Sequence, residues 1–282
     1  VPAGSPLAFG PDAANADGLV PALLEDTEFG PIPRIAPTGE TPFETYARPA
    51  LTPATADGKK LIALVVTGLG LNEAGTRNAI DTLPDAVTLA FAPYGNSVAR
   101  NVAAARDGGH EILLEVPLEP FDYPESDPGP DTLLTGRAPR DNLQKLFAVM
   151  ARFGGYVGLV NHMGARFTAS AADFAPVMEE LATRGLGYLD DGSSNRSVAA
   201  QLAGSNGVIF ARANLLLDQN PARAPILAQL RALEVEATQK GTAIGIISAL
   251  PVSVQTLAEW AGGLDDVNFE IVPVSALMRK GP

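Results

Sequence analysis

The chain has two histidines among its 282 residues, and one of them, His162, stands in the stretch GLVNHMGARFT between Asn161 and a Met-Gly-Ala-Arg turn. An imidazole placed directly after an apolar run can act as a general acid or base, ligate a metal, or cap a strand end on a backbone carbonyl. Arg166, four residues on, adds a fixed positive charge that can stabilise an anion. Asp190 and Asp191, in GYLDDGSSNRS, have the chemistry of metal ligands or of a general base. The same phrase is also a turn and helix-cap sequence, in which the side-chain oxygens accept backbone N–H groups. Glu115 and Glu119 lie in and beyond the apolar run 111–116, at the start of a long acidic, proline-stiffened segment, 118–134. Loops of that length in a compact domain are functional or disordered.

Other chemistry is excluded or weak. There is no cysteine, hence no disulfide, thiolate metal site or cysteine nucleophile. The glycines of TGLGLNEAG (67–75) fit neither a phosphate-binding loop nor a dinucleotide fingerprint, and no lysine follows. No Gly-x-Ser-x-Gly elbow is present. His110 precedes a strand and follows a Gly-Gly stop, at the N-terminal end of its sheet, where residues serve stability. Without a third histidine a three-histidine zinc site cannot form, and His162 would need carboxylate partners.

These residues are positioned by a repeated pattern. From Lys60 onward, short apolar runs at 61–66, 87–92, 111–116, 156–160, 186–189, 207–210, 242–248 and 268–273 alternate with amphipathic stretches at 72–83, 97–108, 140–153, 171–184, 221–240 and 252–262. Strands apolar on both faces and separated by helices predict a parallel sheet with right-handed crossovers. An irregular β/α barrel and a doubly wound open sheet both satisfy that alternation, and the barrel is the natural solution for eight units. In either, chemistry gathers at the C-terminal ends of the strands. The residues expected there are Thr67-Gly68, Tyr94, Glu115 through Glu119 to Asp122, Asn161 through Arg166, Asp190-Asp191, Arg212 and Ser248. Residues 1–59, with ten of the 24 prolines, read as an extended arm whose first ~20 residues lack fixed structure, and residues 60–282 as one domain.

A formal charge of −12 opposes binding to nucleic acid or anionic lipid. No window is long and apolar enough to insert in a membrane. The chain begins at Val1, which leaves room for a signal or anchor upstream.

The segments LIALVVTGLGLN (61–72), VTLAFAPYG (87–95), GHEILLEVPLEPFDYPESDPGPDTLLT (109–135), VGLVNHMGARFT (157–168), RGLGYLDDGSSNRSVA (184–199) and GTAIGIISALP (241–251) resemble, in order and spacing, the divergent polysaccharide deacetylases. The arm PIPRIAPTGETPFETYARP (31–49) resembles the lead into that family's barrel. The resemblance implies an irregular, deacetylase-like β/α barrel in a periplasmic, secreted or membrane-anchored envelope protein, with carbohydrate as partner and a divalent metal in the better-kept members. Those members carry a pair of aspartates after the first strand, a histidine in the third and Gly-His-Pro in the last. Here Thr67-Gly68, Glu115 and Ser248-Ala249 stand instead, and His162 alone matches.

Three functions follow as expectations. The first is a glycan-binding envelope protein with weak or lost catalysis and no resident cofactor, a pseudoenzyme on a hydrolase-like fold. The second is a zinc-dependent carbohydrate deacetylase rebuilt from Glu115, His162 and one of Asp190, Asp191 or Asp218. The third is a structural or interaction protein without a ligand. Any catalysis would fall to His162, Glu115, Asp190 and Asp191, any metal to His162 and Glu115, and substrate contacts to Asn161, Arg166, Tyr94, Glu119 and Ser248.

Overall fold

The structure, a computed structural model, describes Asn15 and residues 18–280. The expectation for the first ~20 residues falls almost wholly outside them. Strands run at Leu24–Thr27 (β1), Gly30–Pro33 (β2), Lys60–Leu69 (β3), Thr88–Phe91 (β4), Ile112–Leu118 (β5), Gly158–Met163 (β6), Gly187–Asp190 (β7), Ile209–Arg212 (β8), Leu215–Leu216 (β9), Thr242–Ser248 (β10), Phe269–Val272 (β11) and Arg279–Lys280 (β12). Helices run at Pro42–Tyr46 (α1), Glu73–Thr82 (α2), Val98–Asp107 (α3), Pro139–Met150 (α4), Ala171–Arg184 (α5), Ala199–Asn206 (α6), Arg223–Lys240 (α7) and Pro251–Gly262 (α8). The fold is α/β and of the irregular β/α kind. Among the described residues no helix is long and apolar enough to cross a membrane.

Two compact units divide the chain, the first made of Ala47–Leu113 and Ala213–Leu277, the second of 18–46, Leu114–Arg212 and 278–280. In the first, β3 pairs in parallel with β10, β4 and β11, and β10 pairs in parallel with β9. Leu61 through Val66 are wholly buried, as expected of a strand covered on both faces. The register sets Ser248 opposite Thr67, so both strands deliver polar residues to one C-terminal edge. Helix α7 stops at Gly241, whose positive φ of 83° releases the last turn directly into β10.

In the second unit β6, β7 and β8 are parallel, and β12 adds to β8 antiparallel. The arm contributes the β1–β2 hairpin, fastened by Arg184 of α5. Its guanidinium donates to Glu25 at 2.8 Å, to the Pro33 carbonyl at 2.6 Å and to Glu180 at 2.6 Å, and stacks 5.0 Å over Phe147. Bonding of this density holds a buried cation that would otherwise be costly.

All eight apolar runs are strands, but their ends differ from the sequence expectation. β5 continues through Pro117 to Leu118 and β6 to Met163, so Asn161 and His162 lie inside a strand rather than after it. The hairpin was masked by its prolines, which are tolerated because a two-stranded ribbon consists of edges. Helix α6, AAQLAGSN, is too weakly amphipathic and too rich in Gly, Ser and Asn to announce itself.

His110 is buried, with Nδ1 2.9 Å from the Val87 carbonyl and Nε2 3.3 Å from that of Ile80. Its neighbour Glu111 is buried too. The carboxylate accepts from the backbone N–H of Arg48 (3.2 Å) and Ser275 (3.0 Å), from the Thr88 hydroxyl (3.3 Å) and from the Ser275 hydroxyl, joining three distant segments of the first unit. Burial nevertheless raises its pKa from 4.5, more than these bonds lower it.

An acid that binds its proton more tightly when folded favours the native state most below pH 4.5, and that contribution is lost as pH rises to its raised folded value. Glu111→Gln should therefore flatten the pH dependence of chemical denaturation above pH 4.5. It should also destabilise by about 1–3 kcal/mol, because the amide turns a donor toward the donors around it. A second expectation concerns β6 and β7, where Gly158 faces Gly187. A Cβ on Gly158 would run into the Gly187 carbonyl, which is backbone and cannot swing away. Gly158→Ala should cost about 1–3 kcal/mol in urea titrations; a neutral effect would contradict the close strand approach.

Candidate functional site

The polar groups of the second unit converge at the ends of β5, β6 and β7, and the amide of Asn161 organises them. Its Oδ1 accepts from the Tyr188 hydroxyl (3.1 Å) and from the backbone N–H of Asp191 (3.0 Å). Its Nδ2 donates to the Met163 carbonyl at 2.8 Å. Both ends of the carboxamide are thus bonded, in a side chain that is almost wholly buried. Tyr188 is in turn packed edge-on against Phe174 (5.3 Å), and Phe174 against Phe167 (5.8 Å), so the amide is tied to the aromatic core.

Beyond His162 the chain turns through two left-handed residues, Met163 at φ 58° and Gly164 at φ 90°. The first is strained by roughly 1–2 kcal/mol for a residue with a Cβ, which the bond from Asn161 to the Met163 carbonyl helps to offset. The second must be glycine, since its Cβ would fall 2.5 Å from that of Leu118. The turn closes when the Gly164 carbonyl accepts from the N–H and hydroxyl of Thr168, both at 2.9 Å.

His162 Nδ1 lies 3.7 Å from an oxygen of Glu115; the imidazole side chain is 43% exposed and the carboxylate 3%. That separation is beyond a hydrogen bond. Burial lowers the His162 pKa from 6.5, opposed by the charge of Asp191, so the ring is neutral at pH 7 and the contact is no ion pair there. Burial raises the pKa of Asp191 from 3.8, against the bonds from Asn161 and Ser193 and with help from the Asp190 charge. Asp190 and Asp191 also close successive turns, Asp190 accepting from Gly192 N–H (2.8 Å) and Asp191 from the Ser193 N–H (2.9 Å) and hydroxyl (2.7 Å). The turn geometry that the DDGSSN phrase suggested is present, and its carboxylates stand in the cluster as well.

Three of the expected residues stand beside acids: Asn161 Oδ1 accepts from the Asp191 backbone N–H, His162 lies beside Glu115, and Arg166 pairs with Glu119 at 3.2 Å. Glu119 is buried, unlike a solvated loop carboxylate, and accepts from the Thr135 N–H (2.5 Å) and hydroxyl (2.7 Å). The acidic segment is pinned at its base, where Leu118 bridges to Leu133 and Lys145 donates to the Thr132 carbonyl at 2.8 Å.

Tyr94 and Ser248 belong to the first unit, at the ends of β4 and β10. Tyr94 is half-buried, beside Gly95, whose φ of 102° lets it approach the Gly70 carbonyl. The Ser248 N–H donates to Asp218 at 3.0 Å, its hydroxyl lies 3.4 Å from the same carboxylate, and Ser253 of α8 adds a bond at 2.7 Å. Asp218 thus ties the end of β10 to the start of α8, a structural duty beyond its reading as one more acid. Thr67 turns its hydroxyl to the Ile247 carbonyl at 3.4 Å. Sequence reasoning missed Tyr188, hidden in an apolar run, and Arg196, whose guanidinium lies 5.6 Å over the Phe121 ring.

The donor set does not fit a catalytic zinc. Such a site takes three protein ligands with a place for water. Among the described residues no three His, Cys, Asp or Glu side chains form a metal-binding group. Asn161, Gly192 and Ser193 hold the aspartates in other bonds.

The chain is similar to the uncharacterized protein YibQ of Escherichia coli K12, 25% identical over 221 residues, which span 78% of this chain and 67% of that one. An uncharacterized Haemophilus influenzae protein is 25% identical over 202 residues, 72% of this chain and 71% of its own. Among solved structures, the uncharacterized protein ATU2773 of Agrobacterium tumefaciens C58 superposes with a TM-score of 0.82 at 42% identity, covering 87% of this chain and 98% of that one. A putative cellobiose-phosphate cleavage protein of Enterococcus faecalis, at 12% identity and a TM-score of 0.56 over 78% of this chain and 99% of that one, shares the fold alone. The pattern of the divergent polysaccharide deacetylases matches residues 64–278, across both units and through every strand-end cluster described above, and the chain belongs to that family.

Proposed function

We propose that this protein is a cell-envelope glycan-binding protein on a deacetylase-type fold, with weak or lost deacetylation. The observation that carries this reading is the cluster of Asn161, His162, Asp191 and Glu115, which is rich in hydrogen-bonding groups while, among the described residues, no three His, Cys, Asp or Glu side chains are grouped to hold a metal. A neutral, 43% exposed imidazole offers one donor and one acceptor, the pattern that a sugar hydroxyl pair can meet. Arg166 offers further donors while Glu119 holds it in place. Hydrolysis of an N-acetyl amide asks for more: an activated water, a base and stabilisation of the oxyanion. The family's metal would polarise that water, and the lack of a three-ligand group among the described residues supports its loss here. Placement in the periplasm or outside the cell belongs to the same proposal and rests on family membership.

Two measurements test it. Calorimetric titration with zinc should give no tight, stoichiometric binding, and acetate release from N-acetylglucosamine oligomers should stay at background. Tight zinc binding that disappears in His162→Ala would establish the rebuilt deacetylase instead. In parallel, His162→Ala should weaken affinity for those oligomers about 2- to 13-fold, from a lost contact of ~0.5–1.5 kcal/mol, with little change in Tm. His110→Ala should do the reverse, since it opens a buried site and leaves a buried carbonyl without its donor. If His162→Ala chiefly unfolds the protein, the imidazole is a structural cap.

A further inference from the structure

One exposed aromatic of the second unit has no role in the core. Phe121 is 53% exposed, on a segment whose base is fixed by the Leu118 to Leu133 bridge and by Glu119. A ring presented to water on a pinned loop is pre-organised for contact, because little entropy is left to lose on binding. The guanidinium of Arg196, from the loop after β7, lies 5.6 Å from its centroid. Arg196 donates its backbone N–H to the Ser194 hydroxyl (3.2 Å), and Arg212, at the end of β8, donates Nη2 to the Ser194 carbonyl (2.7 Å). Ser194 thus bonds both the backbone of Arg196 and the guanidinium of Arg212. Neither arginine makes an ion pair among the described residues, whereas Arg166 and Arg184 are engaged by carboxylates.

The carboxylates nearest in the chain are committed elsewhere, Glu119 to Arg166 and Thr135, and Asp122 to the Ser126 hydroxyl at 2.6 Å. An aromatic face beside cations without acid partners suits a ring that is apolar on one side and carries an anionic substituent. Because the chain as a whole has a charge of −12, a polyanion would be repelled at long range, and a single carboxylate met locally is the better match.

We propose that Phe121, Arg196 and Arg212 form a subsite for an acidic sugar, with the ring stacked on Phe121 and its carboxylate met by the two arginines. This rests on the glycan-binding reading and specifies the class of glycan. The test compares a tetrasaccharide of alternating N-acetylglucosamine and glucuronate with the neutral N-acetylglucosamine tetramer, by calorimetry at fixed pH and ionic strength. The acidic probe should bind about tenfold more tightly, the ratio a charge-assisted bond supplies. Phe121→Ala should weaken both probes, and Arg196→Gln should remove most of the preference for the acidic one. Both side chains are exposed, so circular dichroism should show the fold unchanged. Equal binding of the two probes, unaltered in Arg196→Gln but weakened in His162→Ala, would overturn the acidic subsite and leave the glycan reading standing. Binding of neither probe at millimolar concentration would overturn both.

Discussion

The arrangement of the second unit's polar groups depends on one carboxamide. Asn161 sits inside β6 with almost no exposure, and a buried amide with an empty bond would cost the desolvation of that group. Its bonds are therefore constraints on everything they reach. They fix Tyr188 and, through it, Phe174 and Phe167; they anchor the Asp191 backbone; and they hold the left-handed Met163 that ends the strand. His162 is adjacent in sequence to this amide and points to the opposite face of the pleat, so its placement beside Glu115 is inherited from Asn161.

The strands were legible because buried parallel strands are near-continuous apolar runs, and several helices because proline or glycine marks their ends, as Pro139, Pro251, Gly185 and Gly241 do. What escaped had a physical reason. The β1–β2 hairpin is short and proline-bearing, and α6 lacks a strong apolar stripe. The extension of β6 through Asn161-His162 was invisible because polar residues inside a strand look like its end. Within the second unit, Arg166 and Asp190-Asp191 were legible as residues near the ends of the neighbouring parallel strands β6 and β7. Which atom meets which was not: that Arg166 takes Glu119, or that Asp191 takes Asn161, depends on turns whose geometry is set by Gly164 and Leu118 in space.

A common feature of the buried acids here is that neutral groups surround them. Glu111 is met by hydroxyls and backbone N–H groups, and the half-buried Asp218 is likewise met by two serines. Such donors satisfy lone pairs without cancelling charge, which is why burial still raises the pKa of Glu111. Glu119 differs in having Arg166 at its mouth. In a chain with an excess of acids, this use of neutral donors leaves arginines available for other work.

The same balance determines what the cluster around His162 can do. Burial moves the two titrating groups toward each other, the imidazole down from 6.5 and Asp191 up from 3.8. At neutral pH the imidazole is mainly uncharged, its burial opposing protonation, while burial makes Asp191 hold its proton more readily than a free aspartate does. A metal requires deprotonated carboxylates whose oxygens are unengaged, because it must outbid both protons and hydrogen bonds for the same lone pairs. Here Asp191 accepts from Ser193 and Asn161, and Asp190 accepts from Gly192. A polyhydroxylated ligand meets no such competition, since each hydroxyl can donate to a remaining lone pair and accept from the imidazole or from Arg166 in the same encounter. On the glycan-binding proposal, the partners that occupy these carboxylates would leave the cluster to meet hydroxyl groups rather than a metal.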